Sequence, residues 1–573
     1  MTKLTGGEAL VRALLPERIP FVFGLVGGKL APFLRAVSLQ PSMRFIGARH
    51  EGHAAMMASA VAAGSGQLGV VAAECGSGGG NLVPGIAMAK ANNLPMFVLT
   101  SNNQHYASYP ARGMFADMDT ESLFRPITKW NTAVHDGRRI PELVRWGLRE
   151  AFTGRPGPVH LDVPQDILRG TFDYDESEFG NPPARYRMTV GAPPCAGDIA
   201  RARDLLMGAK RPLLLAGGGV TAAGATEAFR RLAHGLGAPA IATQMGNGNI
   251  AADDPLFLGM AWVCGGDAVH RACADADVVL AVGCRFSSWM RGDRGTLLNT
   301  EAQVIHVDVD PAVIGQHVPV AVGICADAKL ALEALLAAMP AGPAAGPGWA
   351  VWREDLLRAF QGYRTRLDAL AARRGGMMHP AALSKELSRL LPRDALAVFY
   401  GGHTSFWSND FLPAPEPRSR FNEPGMTQLG FGLPWAMTLQ LLHPGKPVFN
   451  VTGDGAFGFS LQELDTARRY GLPVINVIHN NASWGIIKLA YEKGGFDFAS
   501  GNDFGTSLEG TRYADIARGF DCHGEVVETV EALQPALERA IGSGKPAVID
   551  CRVLFEPHPC MPFFSRMSAA GAG

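Results

Sequence analysis

Asp454 and Asn481 are the residues whose types and spacing most clearly could do chemistry. Asp454 sits in the run Gly453-Asp454-Gly455-Ala456, and Asn481 closes the pair Asn480-Asn481 after one amphipathic and one apolar segment. A glycine-flanked loop lets backbone N–H groups approach phosphate oxygens, while a carboxylate and an amide oxygen are hard ligands for magnesium. The pair therefore reads as a divalent-metal clamp on a diphosphate. Either turn alone would be ordinary loop punctuation, so the weight rests on what lies between them. Residues 447–452 read as a buried strand stopping at Gly453. Residues 460–470 read as a helix with Ser460 at its N-cap and Leu461, Leu464 and Ala467 on one side, and residues 472–479 as the next strand. Such a βαβ unit returns Asn481 to the sheet edge that carries Asp454, where open α/β sheets bind ligands.

Arg49-His50-Glu51-Gly52-His53 lies between the apolar pair Phe45-Ile46 and a small-residue helix expected over 54–63. A carboxyl group there, kept from water by Ala and Met neighbours, could exchange a proton with a ligand. A helix-start glutamate favoured by the macrodipole is the plainer alternative. Upstream of Asp454, the segment 425–434 places Leu429 before Gly430, where an apolar residue ahead of a helix is by itself most simply core. The strand-like Val398-Phe399-Tyr400 ends in Gly401-Gly402 ahead of His403 and Thr404.

With 573 residues, 47% apolar and 18% charged, the chain exceeds one core and needs two to four domains. Net charge of −1 leaves no electrostatic footprint for nucleic acid or an acidic membrane, so neither is an expected partner. No apolar run reaches a membrane span, and Met1 to Glu8 leads into an amphipathic helix, which predicts a cytoplasmic protein. Nine cysteines without a CxxC pair predict buried, reduced thiols. Proline- and glycine-rich stretches at 172–197 and 339–348 predict linkers, and hence domains at 1–185, 190–345 and 365–573. Each alternates short Val/Ile/Leu strands with helices, so the expected fold class is α/β with three doubly wound parallel-sheet domains. The first and last could descend from an old duplication.

Over nearly its whole length the chain resembles the acetolactate synthase, benzaldehyde lyase and 2-hydroxyacyl-CoA lyase branch of the thiamine-diphosphate (ThDP) enzymes. The resemblance is carried by Leu4 to Glu8, Phe23 to Gly28, Arg49-His50-Glu51, Arg125 to Trp130, Gly154 to Pro164, Gly283 to Phe286 and the Asp454/Asn481 motif. It implies a pyrimidine-binding first domain, a central domain and a diphosphate-binding last domain. Glu51 is then the catalytic carboxyl group that protonates the cofactor's aminopyrimidine. Asp454, Asn481 and the Ser483 carbonyl hold Mg2+, with Gly453, Gly455 and Ala456 around the diphosphate and His403 and Thr404 as its second wall. Leu429 becomes the wedge beneath the cofactor, and the Thr427 carbonyl accepts its amino group. The resemblance also implies a homodimer, or a homotetramer, in which Glu51 reaches a cofactor held by the partner chain. The implied activity is a decarboxylating carboligase on a small-molecule 2-oxo acid. A lyase or ligase of 2-hydroxy ketones or 2-hydroxyacyl-CoA is the alternative, and a non-catalytic ThDP-binding relative the distant one.

In the central domain, Gly217-Gly218-Gly219-Val220-Thr221-Ala222 fits GxGxxA after a strand, but no acidic residue follows at the customary distance. Arg285 and Asp308 resemble positions beside FAD or an ADP moiety in relatives, and a domain that keeps the fold and binds nothing is the alternative. Substrate readout departs from the named relatives. Val26, Gly28, Lys29 and Phe115 stand where relatives carry proton-handling or carboxylate-holding groups. Glu74-Cys75 replaces a small or hydroxyl residue at its first position, and segment 485–490, with Ile487, lacks the tryptophan of acetolactate-type synthases. These residues, with Cys75 and the loop residue His105, are the candidate substrate contacts.

Overall fold

A computed structural model of the chain describes residues 1–108, 110, 112–262, 264–291, 297–340, 347–496 and 498–561. Most of the second expected linker, residues 341–346, lies outside them.

Runs of Val, Leu, Ile and Ala that are buried at successive positions build three six-stranded sheets whose strand pairings are all parallel. Continuous apolar runs are what strands covered by helices on both faces require. The first sheet comprises β1 (Phe21–Gly24), β2 (Arg44–Gly47), β3 (Gly69–Glu74), β4 (Met96–Asn102), β5 (Trp130–Ala133) and β6 (Pro158–Pro164), in the order β2-β1-β3-β4-β6-β5. The second comprises β7 (Pro212–Ala216), β8 (Ala240–Ala242), β9 (Phe257–Met260), β10 (Val278–Val282), β11 (Gln303–Asp308) and β12 (Val322–Cys325), in the order β9-β8-β7-β10-β11-β12. The third comprises β13 (Leu396–Tyr400), β14 (Arg420–Phe421), β15 (Val448–Gly453), β16 (Ile475–Asn480), β17 (His523–Val527) and β18 (Ala547–Arg552), in the order β14-β13-β15-β16-β18-β17.

The first and third sheets follow one path: the opening strand is internal, the second flanks it, and the last strand slips in before the fifth. That shared winding is the trace a duplication would leave, although the two sequences show no short-period repeat. The second sheet winds differently, outward on both sides from its opening strand. In each sheet the winding direction reverses next to the opening strand, which creates a crevice at the carboxyl ends of β1 and β3, of β7 and β10, and of β13 and β15.

The chain divides into two compact units. One holds residues 1–190, 425–445 and 459–474, and the other 191–424, 446–458 and 475–573. No helix among the described residues is long and apolar enough to cross a membrane.

One local expectation fails. The helix expected over 460–470 is shorter, Glu463–Arg469, and Ser460 does not cap it: the Ser460 hydroxyl is buried without a partner, and only its carbonyl accepts the Glu463 N–H (2.9 Å). The next strand starts at Ile475 and not at Leu472, since Pro473 has no N–H to give to the ladder.

Candidate functional site

At the carboxyl edge of the third sheet, β15 ends at Gly453 and the chain turns at once into the short helix Asp454–Gly458. Parallel pairing sets Gly453 beside His479 on β16, so the loop after β16 returns to Asp454. Asp454 is buried. Its Oδ1 accepts the Gly455 N–H (2.8 Å), its Oδ2 accepts the Ser483 N–H (3.2 Å), and its carbonyl accepts the Tyr513 hydroxyl (2.9 Å). Burial pushes its carboxyl group up to about 6, opposed by those backbone donors. Asn481 Oδ1 accepts from the N–H (3.2 Å) and hydroxyl (3.1 Å) of Ser483, and Ala482 takes a left-handed turn (φ 53°) to bring Ser483 back. Asn480 anchors this turn from below through its amide on Asp550 Oδ1 (2.8 Å).

The crevice beside Asp454 is bounded by the end of β13. Gly401 turns with φ 92°, and a Cβ there would lie 2.9 Å from the Ala456 Cβ and 3.0 Å from the Gly453 nitrogen. A Cβ on Gly453 would lie 3.4 Å from Thr404 Oγ1. A Cβ on Gly485 would meet the Asn481 amide nitrogen at 2.9 Å and His403 Nδ1 at 3.3 Å. His403, Thr404, Gly453, Gly455, Ala456, Asn481 and Ser483 are thus brought together. Both ring nitrogens of His403 are buried without a hydrogen-bond partner, and burial, with His558 nearby, pulls its pKa down to about 4. A neutral imidazole with two unmet polar atoms, glycines where side chains would intrude, and a carboxylate among backbone donors suit a small, highly oxygenated anion with a divalent cation.

Three residues here escaped sequence reasoning. The Trp484 ring lies where a side chain on Gly455 would go, 2.6 Å from an added Cβ. Tyr513 reaches Asp454 from a helix far along the chain, and His479 is a fully buried neutral imidazole whose pKa burial lowers to about 3. Only Trp484 gave a signal, its place directly after the Asn-Asn turn. Ile487, on the helix Gly485–Lys493, is exposed.

In the other unit, Glu51 opens the helix Glu51–Ser65, which is longer than expected and buried on all sides except at Ala63 and Ser65. His50 caps it by accepting the Gly52 N–H on Nδ1 (3.0 Å). Glu51 Oε2 accepts from the Asn81 amide (2.9 Å), and Oε1 faces Gly78, where an added Cβ would stand 3.2 Å away. The turn into this helix is held by Glu463, a fully buried carboxylate. It accepts the Arg49 N–H with both oxygens (3.1 Å each), lies 2.9 Å from His53 Nδ1, and takes the Thr466 hydroxyl (2.6 Å). Sequence reasoning passed over Glu463 because its partners lie some four hundred positions away. The helix Gly432–Leu442 packs alongside, with Trp435 Nε1 donating to Ser59 Oγ (3.0 Å).

Thr427 has φ 55° and is exposed, and Leu429 is half-buried before the left-handed Gly430. His105 Nε2 lies 2.8 Å from His135 Nδ1, and its N–H donates to Asp166 Oδ1. Lys29 and Cys75 are buried together, and Val26 and Phe115 are exposed. In the second sheet, Gly217 and Gly218 lie at the crevice after β7, but protein already occupies their open sides. A Cβ on Gly217 would be 2.0 Å from the Gly283 carbonyl oxygen, and one on Gly218 2.9 Å from the Met245 Cβ. Packing alone accounts for these glycines. Arg285 is half-buried, and Asp308 ends β11 with Oδ1 on the Asp310 N–H (3.0 Å).

The sequence matches three family descriptions: the thiamine pyrophosphate enzyme N-terminal TPP binding domain over residues 4–123, the central domain over 199–335 and the C-terminal TPP binding domain over 401–551. The chain belongs to the thiamine pyrophosphate enzyme family and is a ThDP-dependent enzyme. Within that family it is similar to the probable acetolactate synthase large subunit of Methanocaldococcus jannaschii, 32% identical over 98% of this chain and 93% of the relative. The acetolactate synthase large subunits of Haemophilus influenzae (31%, 85% and 84%) and Corynebacterium glutamicum (30%, 96% and 86%) are similar too.

Proposed function

We propose that this ThDP enzyme is a carboligase that removes carbon dioxide from a 2-oxo acid and joins the remaining acyl group to a second carbonyl compound. The observation that carries this reading is the pairing of Asp454 with Asn481 through Ser483 at a sheet crevice, in a chain whose likeness to acetolactate synthase large subunits is nearly end to end.

Mg2+ would sit against Asp454 Oδ, Asn481 Oδ1 and the Ser483 carbonyl, completing its shell with phosphate oxygens and water. Among the described residues no group of three or more His, Cys, Asp and Glu side chains could hold a metal; the set proposed here joins one carboxylate to an amide oxygen and a backbone carbonyl. His403 and Thr404 would donate to the diphosphate, and the apolar Leu429 would hold the cofactor bent while the Thr427 carbonyl accepts its amino group. When bound, ThDP supplies a nucleophilic ring carbon and an electron sink for the bond to carbon dioxide. Glu51 would hold a proton on Oε1 against the pyrimidine ring, since Asn81 already occupies Oε2. The crevice of the second sheet, by Arg285 and Asp308, is where we would place FAD or ADP, and a visible spectrum of the purified protein tests for the flavin.

The active assembly we propose is a homodimer, or a pair of them, working in the cytoplasm; nine free cysteines suit a reducing compartment. Purified protein supplied with pyruvate should release carbon dioxide only when both ThDP and Mg2+ are present. Cleavage of benzoin or of a 2-hydroxyacyl-CoA, with no turnover of pyruvate, would replace this reading with that of a lyase.

A further inference from the structure

The crevice of the first sheet holds a buried charge cluster that the reading above does not use. Lys29 follows β1 and Glu74 ends β3, the two strands between which the winding reverses. The Lys29 side chain is 8% exposed. Its Nζ lies 3.3 Å from Cys75 Sγ, donates to the Phe115 carbonyl (3.0 Å) and stands 3.6 Å from Glu74 Oε1, while its backbone N–H donates to Glu74 Oε2 (3.2 Å). Cys75 Sγ in turn donates to the Ala116 carbonyl (3.1 Å), and burial raises its pKa, so it stays a neutral thiol despite the neighbouring ammonium. Ala116 has φ 56° and packs on Gly76, where a Cβ would come within 2.7 Å of its own. Gly27 must lack a side chain, because a Cβ there would sit 2.2 Å from Glu74 Oε2.

The ammonium is thus spent inside the protein. A buried lysine is tolerated only when its charge is balanced and its protons find acceptors; here the Phe115 carbonyl and the Cys75 sulfur accept, and the Glu74 carboxylate balances the charge as an ion pair. Lys29 and Cys75 act as two clips that hold the 115–116 loop against the sheet. What the clipped edge turns outward is apolar: Val26 is 70% and Phe115 84% exposed, and Gly28 has open space, with nothing within 4 Å of an added Cβ. Arg112, the next cation along the loop, is directed over the Tyr106 ring. This edge is also the one that carries Glu51, since Gly78, four residues beyond Glu74, is the glycine that Glu51 Oε1 faces.

From this arrangement we infer that the second carbonyl compound is an uncharged, apolar aldehyde, accepted on Val26 and Phe115, with Lys29 and Cys75 as positioning residues. The inference rests on the carboligase reading and narrows it. The C1–C2 bond of the 2-oxo acid breaks, carbon dioxide leaves, and the electron pair left at C2 forms the new bond to the aldehyde carbon. The aldehyde oxygen takes one proton, so that 2-oxo acid anion, aldehyde and proton give a 2-hydroxy ketone and carbon dioxide.

The test uses the full chain loaded with ThDP and Mg2+, pyruvate as donor, and benzaldehyde against a second pyruvate as acceptor at equal concentration, with carbon dioxide and products quantified. The expected result is at least tenfold more mixed hydroxy ketone than pyruvate self-condensation product. Lys29→Met should raise the KM for benzaldehyde about tenfold, more than it lowers kcat, and Lys29→Arg should recover part of that loss. Dominant self-condensation, or carbon dioxide release with free acetaldehyde as product, would overturn the inference and leave decarboxylation standing. No carbon dioxide from pyruvate or any other 2-oxo acid would remove the parent reading and this one with it. The acceptor comparison on the parent protein decides the matter even if the Lys29 variants do not fold.

Discussion

Ser483 ties Asp454 to Asn481: one backbone N–H lies 3.2 Å from an oxygen of each. A single donor thereby holds two oxygen atoms from neighbouring strand ends to one point. Asp454→Ala removes one of the two and leaves the Ser483 N–H to Asn481 alone. The variant should lose Mg2+-dependent ThDP uptake by at least about 100-fold, the upper end of what losing a mere supporting partner costs a metal site. Equilibrium binding of ThDP with Mg2+ and with a chelator measures it, and parental uptake would remove the metal clamp from this account.

The contact between Gly455 and Trp484 predicts a steric lesion at the same edge. An added methyl group would stand 2.6 to 2.9 Å from three ring atoms, so Gly455→Ala must displace the indole or the loop that holds Asp454. Overpacking of this kind costs about 1–3 kcal/mol. Thermal unfolding should show a lowered midpoint for Gly455→Ala, and Trp484→Phe in the same chain should return part of it by shrinking the ring. An unaltered midpoint in Gly455→Ala would mean that the indole has room to move.

Glu51 and Asp454 offer a test of the proposed shared active site. Glu51→Gln should bind ThDP yet turn over 10²–10⁴-fold more slowly, the usual worth of a positioned acid or base. If each site takes Glu51 from one subunit and Asp454 from the other, Glu51→Gln mixed with Asp454→Ala gives hybrid dimers with one doubly damaged and one intact site. Random reassembly of equal amounts should then restore about a quarter of parental activity. Mixtures no more active than their components would place both residues of a site on one chain.

The legible part of this protein was whatever a local pattern encodes. Val278–Val282 and Leu213 to Ala216 announced themselves as strands because burial on both faces demands apolar residues in succession. Asp454 and Asn481 were readable because a βαβ unit converts a sequence interval into adjacency. Ser460 misled, since a serine ahead of an amphipathic run looks like a cap whether or not its hydroxyl turns toward the helix. Glu463 lies in that same helix with nothing local to mark it, since its partners Arg49 and His53 belong to the opposite end of the chain. The strand order that places Lys29 beside Glu74 is likewise invisible to periodicity, which gives a strand its faces and says nothing about its neighbours.

His160 sets an acid limit on stability. Its ring lies wholly inside the first sheet's packing, edge-on to Phe124, with Nε2 2.7 Å from the Thr100 hydroxyl and Nδ1 without a partner. Burial lowers its pKa from the ordinary 6.5 to about 3. Unfolded chains protonate this imidazole near pH 6.5 and the folded chain only near 3, so between these values the unfolded state holds more protons and stability falls as pH falls. The fully developed slope is about 1.4 kcal/mol per pH unit for one such group. Buried His479, with a pKa lowered to about 3, adds in the same direction. Urea unfolding of the parent at pH 7, 6, 5 and 4 should therefore give steadily falling free energies. In His160→Gln the value at pH 7 should be lower, because the new amide must share the Thr100 hydroxyl in a site shaped for a ring. Its decline toward pH 4 should nevertheless be shallower by about one group's worth. Parallel curves for the two proteins would show that His160 is protonated in the folded state well above pH 3, and that its surroundings admit water.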